Sequence, residues 1–233
     1  HLLRGCAGES GRPSNSYTEV PLRVWLYDTL LQRPSEADLL RTADDLVERL
    51  NATWAPHFQV REQQRESDKD FVLWTKGTRY LDLVTDLRDV RAYMLQCAGD
   101  IQGVLVLQDE GETSRIVEGA PVLTVRYVAT APWNRRLQSQ PGRFRGVGTA
   151  LLVRSVSESQ ALGYEGRIGL HSLQGSDGFY RRLGFRDFGP DPANRGMTYF
   201  ELDPVASLRL IDWANHRAAE CAMTETSGRH AGS

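Results

Sequence analysis

Arg143-Phe144-Arg145-Gly146-Val147-Gly148 is the stretch on which the reading of this chain turns. Two glycines one residue apart stand directly ahead of a helical pattern, and a backbone without side chains can come very close to a bound group. The first N–H groups of a helix have no acceptor inside it, and the helix dipole favours an anion beside them. Arg143 and Arg145 add positive charge and forked donors suited to phosphate oxygens. The turn reads as a pyrophosphate cradle. A Gly-x-Gly before a helix also serves plain close packing, so its surroundings have to decide.

Working outward, residues 147–162 repeat apolar side chains at helical spacing, with Leu151, Leu152 and Val156 inward and Gly163 placed to cap the end. Upstream, residues 122–129 alternate as a strand that Pro132 stops, since proline has no N–H for a ladder. Residues 91–97 and 101–108 predict a hairpin around Ala98-Gly99-Asp100, and 109–120 a polar loop. Downstream come a short strand over 167–170, a short helix over 175–182 and a strand over 197–202. Asp203 and Pro204 then open a helix, as N-cap and first-turn residue, with Val205, Leu208, Leu210, Ile211 and Trp213 as its apolar side. The tail after Met223 reads as frayed.

Toward the N-terminus the pattern changes. Residues 1–17, rich in Gly, Ser, Pro and Arg, read as disordered. Residues 20–30 fit a strand or a helix. Ser35, followed by Glu36 and Asp38, has the form of a helix N-cap with acidic residues in its first turn. Leu39, Leu40, Ala43, Leu46, Val47 and Leu50 follow at helical spacing, predicting a helix that ends near Asn51. Residues 52–70 are polar and read as a surface connection, with a short element over 71–74.

Composition removes several classes. The 233 residues suit one domain with an extension, and a net charge of -2 gives no support to nucleic-acid binding. Cys6, Cys97 and Cys221 are too few and too far apart for a disulfide framework or a zinc pattern, so a cytoplasmic home is expected. Leu3-Arg4-Gly5-Cys6 has the outline of a lipoprotein cleavage site, but an arginine inside it and no apolar segment argue against one. No apolar run has the length of a membrane span. The glycine turn lacks the Gly-Lys-Ser/Thr of a nucleoside-triphosphate loop, and it lacks the third glycine and following acidic residue of a dinucleotide site. Ser155, Ser157 and Ser159 have no partnered base, which leaves no serine hydrolase.

The order is hairpin, strand, Arg-x-x-Gly-x-Gly, helix, strand, then Phe179-Tyr180-Arg181-Arg182-Leu183-Gly184-Phe185 and a further strand. In that order the chain resembles the GNAT superfamily of N-acetyltransferases over roughly residues 91–202. That family carries (Gln/Arg)-x-x-Gly-x-(Gly/Ala) at the start of its central helix and commonly Phe-Tyr-x-x-Leu-Gly-Phe after the next strand. The resemblance implies an α/β fold: a GNAT-like acyl-CoA N-acyltransferase fold, with a central mixed, mostly antiparallel sheet flanked by helices. Residues 1–17 would precede an N-acetyltransferase domain over 18–203, and 204–233 would form a C-terminal helix and tail.

The resemblance also implies roles. Backbone amides of Arg145, Gly146, Val147, Gly148 and Thr149, with Arg143, would take the pyrophosphate of acetyl-CoA as cosubstrate, without a metal. Val128, Ala129 and Thr130 would pair with the pantetheine arm like an added strand. Tyr180 would give a proton to the departing thiolate, a role a phenol suits. The acyl group would pass by direct attack to a primary amine on a small-molecule or peptide acceptor, with a homodimer left open.

Two departures from the family pattern stand out. The path from Pro132 to Arg143 is long, carrying Arg135-Arg136-Leu137-Gln138-Ser139-Gln140, which reads as a looped-out insertion. The central strand, Leu123-Thr124-Val125-Arg126-Tyr127-Val128, has no carboxylate where many members hold a general base. His171 is the best substitute, since imidazole titrates near neutral pH, and a hydrogen-bonded structural histidine is its plainer reading. Asp177 is a second candidate, or a helix cap; Trp133-Asn134 faces the acceptor or forms an ordinary turn. The missing carboxylate also keeps open a rival: a non-catalytic acyl-CoA sensor or partner-binding module on the same fold.

Overall fold

The computed structural model describes residues 22–41, 46–54, 56–57, 90–109, 111–135, 142–173 and 175–229; the side chains of 22, 23, 46, 47, 51 and 217–229 fall outside that description. The expected disordered segment over 1–17, the connection running on to residue 70 and the element over 71–74 lie largely or wholly outside the described residues.

Among the described residues nine strands form one sheet. They are β1 (Leu22–Asp28), β2 (Arg33–Arg41), β3 (Val90–Cys97), β4 (Asp100–Gln108), β5 (Leu123–Thr130), β6 (Phe144–Arg145), β7 (Ile168–Ser172), β8 (Arg186–Asp191) and β9 (Met197–Leu202). The α-helices among the described residues are α1 (Leu46–Thr53), α2 (Val147–Ala161), α3 (Asp177–Arg182) and α4 (Pro204–Arg229). The spatial order is β6-β1-β2-β3-β4-β5-β7-β9-β8. Among the described residues every pairing is antiparallel except that of β5 with β7.

Side chains alternate across a strand, so the sheet has two distinct faces. On one, Tyr93, Leu95, Leu105, Leu107, Leu123, Val125, Ile168, Leu170, Phe200 and Leu202 pack with Val147, Leu151, Leu152 and Val156 of α2, Tyr180 of α3 and Leu210 of α4. On the other, Met94, Ile101 and Val104 pack with Leu50 of α1 and with Trp54 just beyond it. Burying each such large aliphatic side chain is worth about 1.5–3 kcal/mol against leaving it in water.

The hairpin of β3 and β4 turns at Ala98 and Gly99, whose φ angles of 52° and 83° are those of a two-residue type I′ turn. The helix expected over 35–51 is corrected: its first part is strand β2, and α1 begins only at Leu46. Ala37 and Leu39 are buried while Glu36 and Asp38 are exposed, a period of two. Pairing with β1 and β3 outweighs the helix-start signal of Ser35, Glu36 and Asp38.

Two further differences concern the C-terminal third. Strand β8 was not expected; its Gly189 and Pro190 belong to residue types depleted in strands. They lie where the β8–β9 register slips between Asp187 and Pro190, with Gly189 at φ 77°. Asp203 does cap α4, its Oδ1 accepting the Ala206 N–H at 2.8 Å. The buried side of α4, however, is Ala206, Ser207, Leu210 and Ile211, while Val205, Leu208 and Trp213 are exposed. The helix also continues past Met223 to Arg229.

Candidate active site

The parallel pairing of β5 with β7 is short. It joins Leu123 to Ile168, Thr124 to Gly169 and Val125 to Leu170, and stops. Beyond that point the two strands part. Val128, Ala129 and Thr130 stay paired to β4, opposite Leu105, Val104 and Gly103. His171 and Ser172 stay paired to β9, opposite Tyr199 and Thr198. Among the described residues, no strand pairs with the β7-facing side of Val128, Ala129 and Thr130. The register of β5 on β4 skips Arg126, which marks a bulge where the strands diverge.

The glycine turn stands next to this opening. Gly146 is the N-cap of α2 at φ 94°, in the left-handed region that glycine alone enters freely. Among the described residues outside its chain neighbours, only Leu26 Cδ2, at 3.9 Å, lies within 4 Å of where a β-carbon would stand. The N–H groups of Val147, Gly148 and Thr149 occupy the first turn, where a helix offers no internal acceptor. Gly103 of β4 brings the helix close: a β-carbon there would meet Val147 Cγ1 at 2.7 Å, Leu151 Cδ1 at 2.9 Å and Ala129 O at 3.1 Å. Helix start and open strand edge are thereby contiguous. Gly148 has a packing reason of its own, since a β-carbon would lie 3.1 Å from Phe179 Cζ.

The segment leading into the turn is fixed to β1. Arg145 pairs with Tyr27 and Phe144 with Asp28. Thr29 N–H donates to Arg143 O at 2.8 Å, and Thr29 Oγ1 donates to Gly142 O at 2.9 Å. The Arg143 side chain faces the buried Asp28 carboxylate, Nε to Oδ2 at 3.9 Å, and lies over the Phe144 ring at 4.9 Å; Arg145 is exposed. Trp133 and Asn134 are committed to this framework. Trp133 Nε1 donates to Gln102 Oε1 at 2.8 Å, and Asn134 Oδ1 accepts the Phe144 N–H at 2.9 Å. Gly142 packs on the Asn134 backbone so closely that no β-carbon fits. The long path between Pro132 and Arg143 thus closes at its neck, and residues 136–141 lie outside the described residues.

Tyr180 is buried on the α2 face. Its ring meets Phe179 and Phe185 edge-on at 5.3 and 5.6 Å and tilts against Phe200 at 5.5 Å. His171 lies on the opposite face, because its strand neighbour Leu170 belongs to the α2-side core. Its ring tilts on Tyr199 at 5.1 Å, and Nε2 lies 2.9 Å from Asp191 Oδ2. Asp177 accepts from Thr198 Oγ1 at 3.3 Å and pairs with Arg181 at 3.7 Å.

Sequence reasoning missed the group around His171. Asp191 Oδ2 also accepts from Arg115 Nη2 at 2.9 Å and Asn194 Nδ2 at 3.2 Å, and Oδ1 accepts the Ala193 N–H at 3.0 Å. The His171, Arg115 and Asn194 donors hold the Asp191 carboxyl well below the usual carboxylate range. Arg115 also lies over the Tyr199 ring at 4.0 Å. Beneath it, fully buried Glu201 accepts from Ser114 Oγ, from Arg115 N–H at 2.8 Å and from Tyr199 Oη at 3.2 Å. Burial, then the Glu201 charge, pushes the Tyr199 hydroxyl up. Asp191 followed by Pro192 is a legible start for a helical turn, which was the available signal; Ser114 and Arg115 sit in a loop that shows none. No group of three or more His, Cys, Asp or Glu among the described residues is arranged to hold a metal ion, and no described helix is long and apolar enough to cross a membrane.

No protein-family model matches the chain, and comparison with curated proteins gives no match. Solved structures do resemble it. A bacterial toxin superposes with a TM-score of 0.50 at 16% identity, over 76% of this chain and 96% of that one. PaiA N-acetyltransferase from Thermoplasma acidophilum, in complex with coenzyme A, gives 0.48 at 12% identity, over 71% and 97%. A putative acetyltransferase of the GNAT family from Desulfovibrio desulfuricans gives 0.46 at 13% identity, over 72% and 99%. At such identities the likeness is one of fold. The chain has the expected α/β architecture, a mixed and mostly antiparallel sheet flanked by helices.

Proposed function

We propose that this protein is an N-acetyltransferase that takes its acetyl group from acetyl-CoA and passes it to a primary amine of a small-molecule or peptide acceptor. One observation carries the reading. The β5–β7 pairing ends at Val125 and Leu170, and the open edge beyond it leads straight to the left-handed Gly146 at the start of α2. An unpaired strand edge takes an extended amide-bearing chain, and a helix start takes phosphate. Contiguous, they fit pantetheine joined to pyrophosphate.

In this reading the N–H groups of Val147, Gly148 and Thr149 bind the pyrophosphate, with Arg145 adding charge from the exposed side. The backbone of Val128, Ala129 and Thr130 holds the pantetheine arm. Arg143 acts differently from its sequence-based role: paired with Asp28, it fixes the turn. The thioester supplies an activated acyl group, so the chain's own work is positioning and two proton transfers. His171 takes the proton of the attacking ammonium from the α1 side. Tyr180, locked by three aromatic rings, gives a proton to the leaving sulfur from the α2 side. The enzyme would act in the cytoplasm.

The test is calorimetry with acetyl-CoA, ADP and NAD, followed by thiol release across an amine panel that includes peptides. Binding of acetyl-CoA ahead of the other two, and thiol release with at least one amine, is the expected result. No heat with any CoA ester overturns the reading, and binding without turnover turns it into the sensor.

A further inference from the structure

Asp191 has no assigned task, yet more donors converge on it than on any other carboxylate described around the site. Oδ2 accepts from Arg115 Nη2 at 2.9 Å and from Asn194 Nδ2 at 3.2 Å, while Oδ1 caps the turn through Ala193 N–H. His171 Nε2 approaches the same Oδ2 at 2.9 Å. The carboxyl group is nine-tenths buried, and the His171 side chain is 21% exposed.

The chemistry of that contact fixes the histidine's protons. A carboxylate oxygen offers only lone pairs, so an imidazole nitrogen 2.9 Å away must present N–H to it. A bare Nε2 would set lone pair against lone pair. Nε2 therefore carries a proton whether the ring is neutral or charged, and Nδ1 is the nitrogen that gains or loses one. Arg115 and Asn194 hold Asp191 from the other side, so the carboxylate is itself oriented. Arg115 in turn is anchored through its own N–H to buried Glu201 and lies over Tyr199. A structural histidine needs only one partner of either kind; here His171, Arg115 and the Asp191–Asn194 turn, three separate stretches of chain, converge to give one tautomer.

We propose that Asp191, held by Arg115 and Asn194, is a positioning residue that fixes His171 with Nε2 protonated and Nδ1 as the nitrogen that takes the acceptor's proton. This rests on the transferase reading for its catalytic half and on geometry alone for its tautomer half. One proton passes from the acceptor ammonium to Nδ1; the bond to Nε2–H stays, and the imidazolium so formed faces the Asp191 carboxylate.

Nitrogen-15 NMR of the imidazoles, with His171→Gln to assign the His171 signals, reads the tautomer in the full chain. The expected result, at a pH where the ring is neutral, is Nε2–H with a bare Nδ1. Asp191→Ala is expected to give a mixture of tautomers and to lower kcat at least tenfold with the KM for acetyl-CoA unchanged. Asp191→Asn, whose carbonyl oxygen can replace Oδ2, is expected to restore the Nε2–H form and part of kcat. A bare Nε2 in the parent protein overturns the proposal without any variant having to fold. So does an Asp191→Ala protein with the parent's tautomer and kcat. If no amine supports thiol release, the transferase reading falls, while the tautomer measurement still decides the Asp191 geometry.

Discussion

Tyr180 and His171 reach the two faces of the sheet through consecutive residues of one strand. The Tyr180 ring rests on Phe200 at 5.5 Å, and the His171 ring rests on Tyr199 at 5.1 Å. Adjacent residues of a strand point to opposite faces, so β9 separates the two candidate proton-transfer groups while holding both in place. An acid and a base on opposite sides of a gap cannot neutralise each other by direct contact. In the proposed transfer they would serve a nucleophile and a leaving group on different sides of the sheet.

That separation makes the two roles independently testable. Tyr180→Phe keeps the ring and its three aromatic contacts and removes only the hydroxyl. Thiol release is expected to slow by about a hundredfold, the usual scale of a lost general acid, with the affinity for CoA unchanged by calorimetry. An unchanged rate removes Tyr180 from the mechanism.

The two glycines of the turn should behave differently. Gly146→Ala forces a left-handed φ on a residue with a β-carbon, at a cost of roughly 1–2 kcal/mol. A lower Tm together with weaker CoA binding is expected. Gly148 has no positive φ, and its alanine variant meets only the Phe179 ring at 3.1 Å. A smaller loss of Tm is expected there. If thermal unfolding finds Gly148→Ala the more destabilised of the two, the conformational account of Gly146 fails.

Asp191 gives an acid-side dependence of stability. Its folded-state pKa lies below the unfolded value, so its contribution is fully present above the ordinary Asp value of about 3.9 and is lost as pH falls from there toward the folded value. The gap in Tm between the parent and Asp191→Asn is expected to be open at pH 5 and to narrow steadily below pH 4. A gap that widens on acidification contradicts the sign.

Glu201 is a stability matter rather than a catalytic one. Glu201→Ala leaves the Ser114 hydroxyl, the Arg115 N–H and the Tyr199 hydroxyl without their acceptor in a buried place. A loss of about 2–3 kcal/mol is expected from denaturant unfolding, the penalty for stranded buried polar groups. Loss of the Arg115 anchor should also make the backbone amides near Ser114 exchange faster. A variant as stable as the parent shows that water reaches these groups.

Much of the centre of the fold was legible in the sequence. The 91–108 hairpin, strand β5, helix α2 with its Gly163 cap and the Tyr180 segment were all visible, because each is decided by neighbours within a few residues. The failures share a cause. Arg33–Arg41 carries a helix-start pattern, yet β1 and β3, the latter some fifty residues further along the chain, claim its backbone. Arg186–Asp191 contains Gly189 and Pro190, residue types depleted in strands, and is a strand through its pairing with β9. At the site, His171 was visible as an isolated imidazole. The Asp191 and Arg115 that define it lie 20 and 56 positions away, in segments whose local patterns carry no catalytic signal.

The close contact of Gly142 with Asn134 has an engineering consequence. Both strands of that neck are pinned from within, Asn134 by Gln102 and Gly142 by Thr29. Whatever is grafted between them enters and leaves at two anchored points. Closing a longer loop costs little, about 0.6 kcal/mol for each doubling of its length. A peptide tag or a foreign recognition loop spliced between these two anchors, beside the glycine turn, is therefore expected to leave the Tm of the scaffold unchanged.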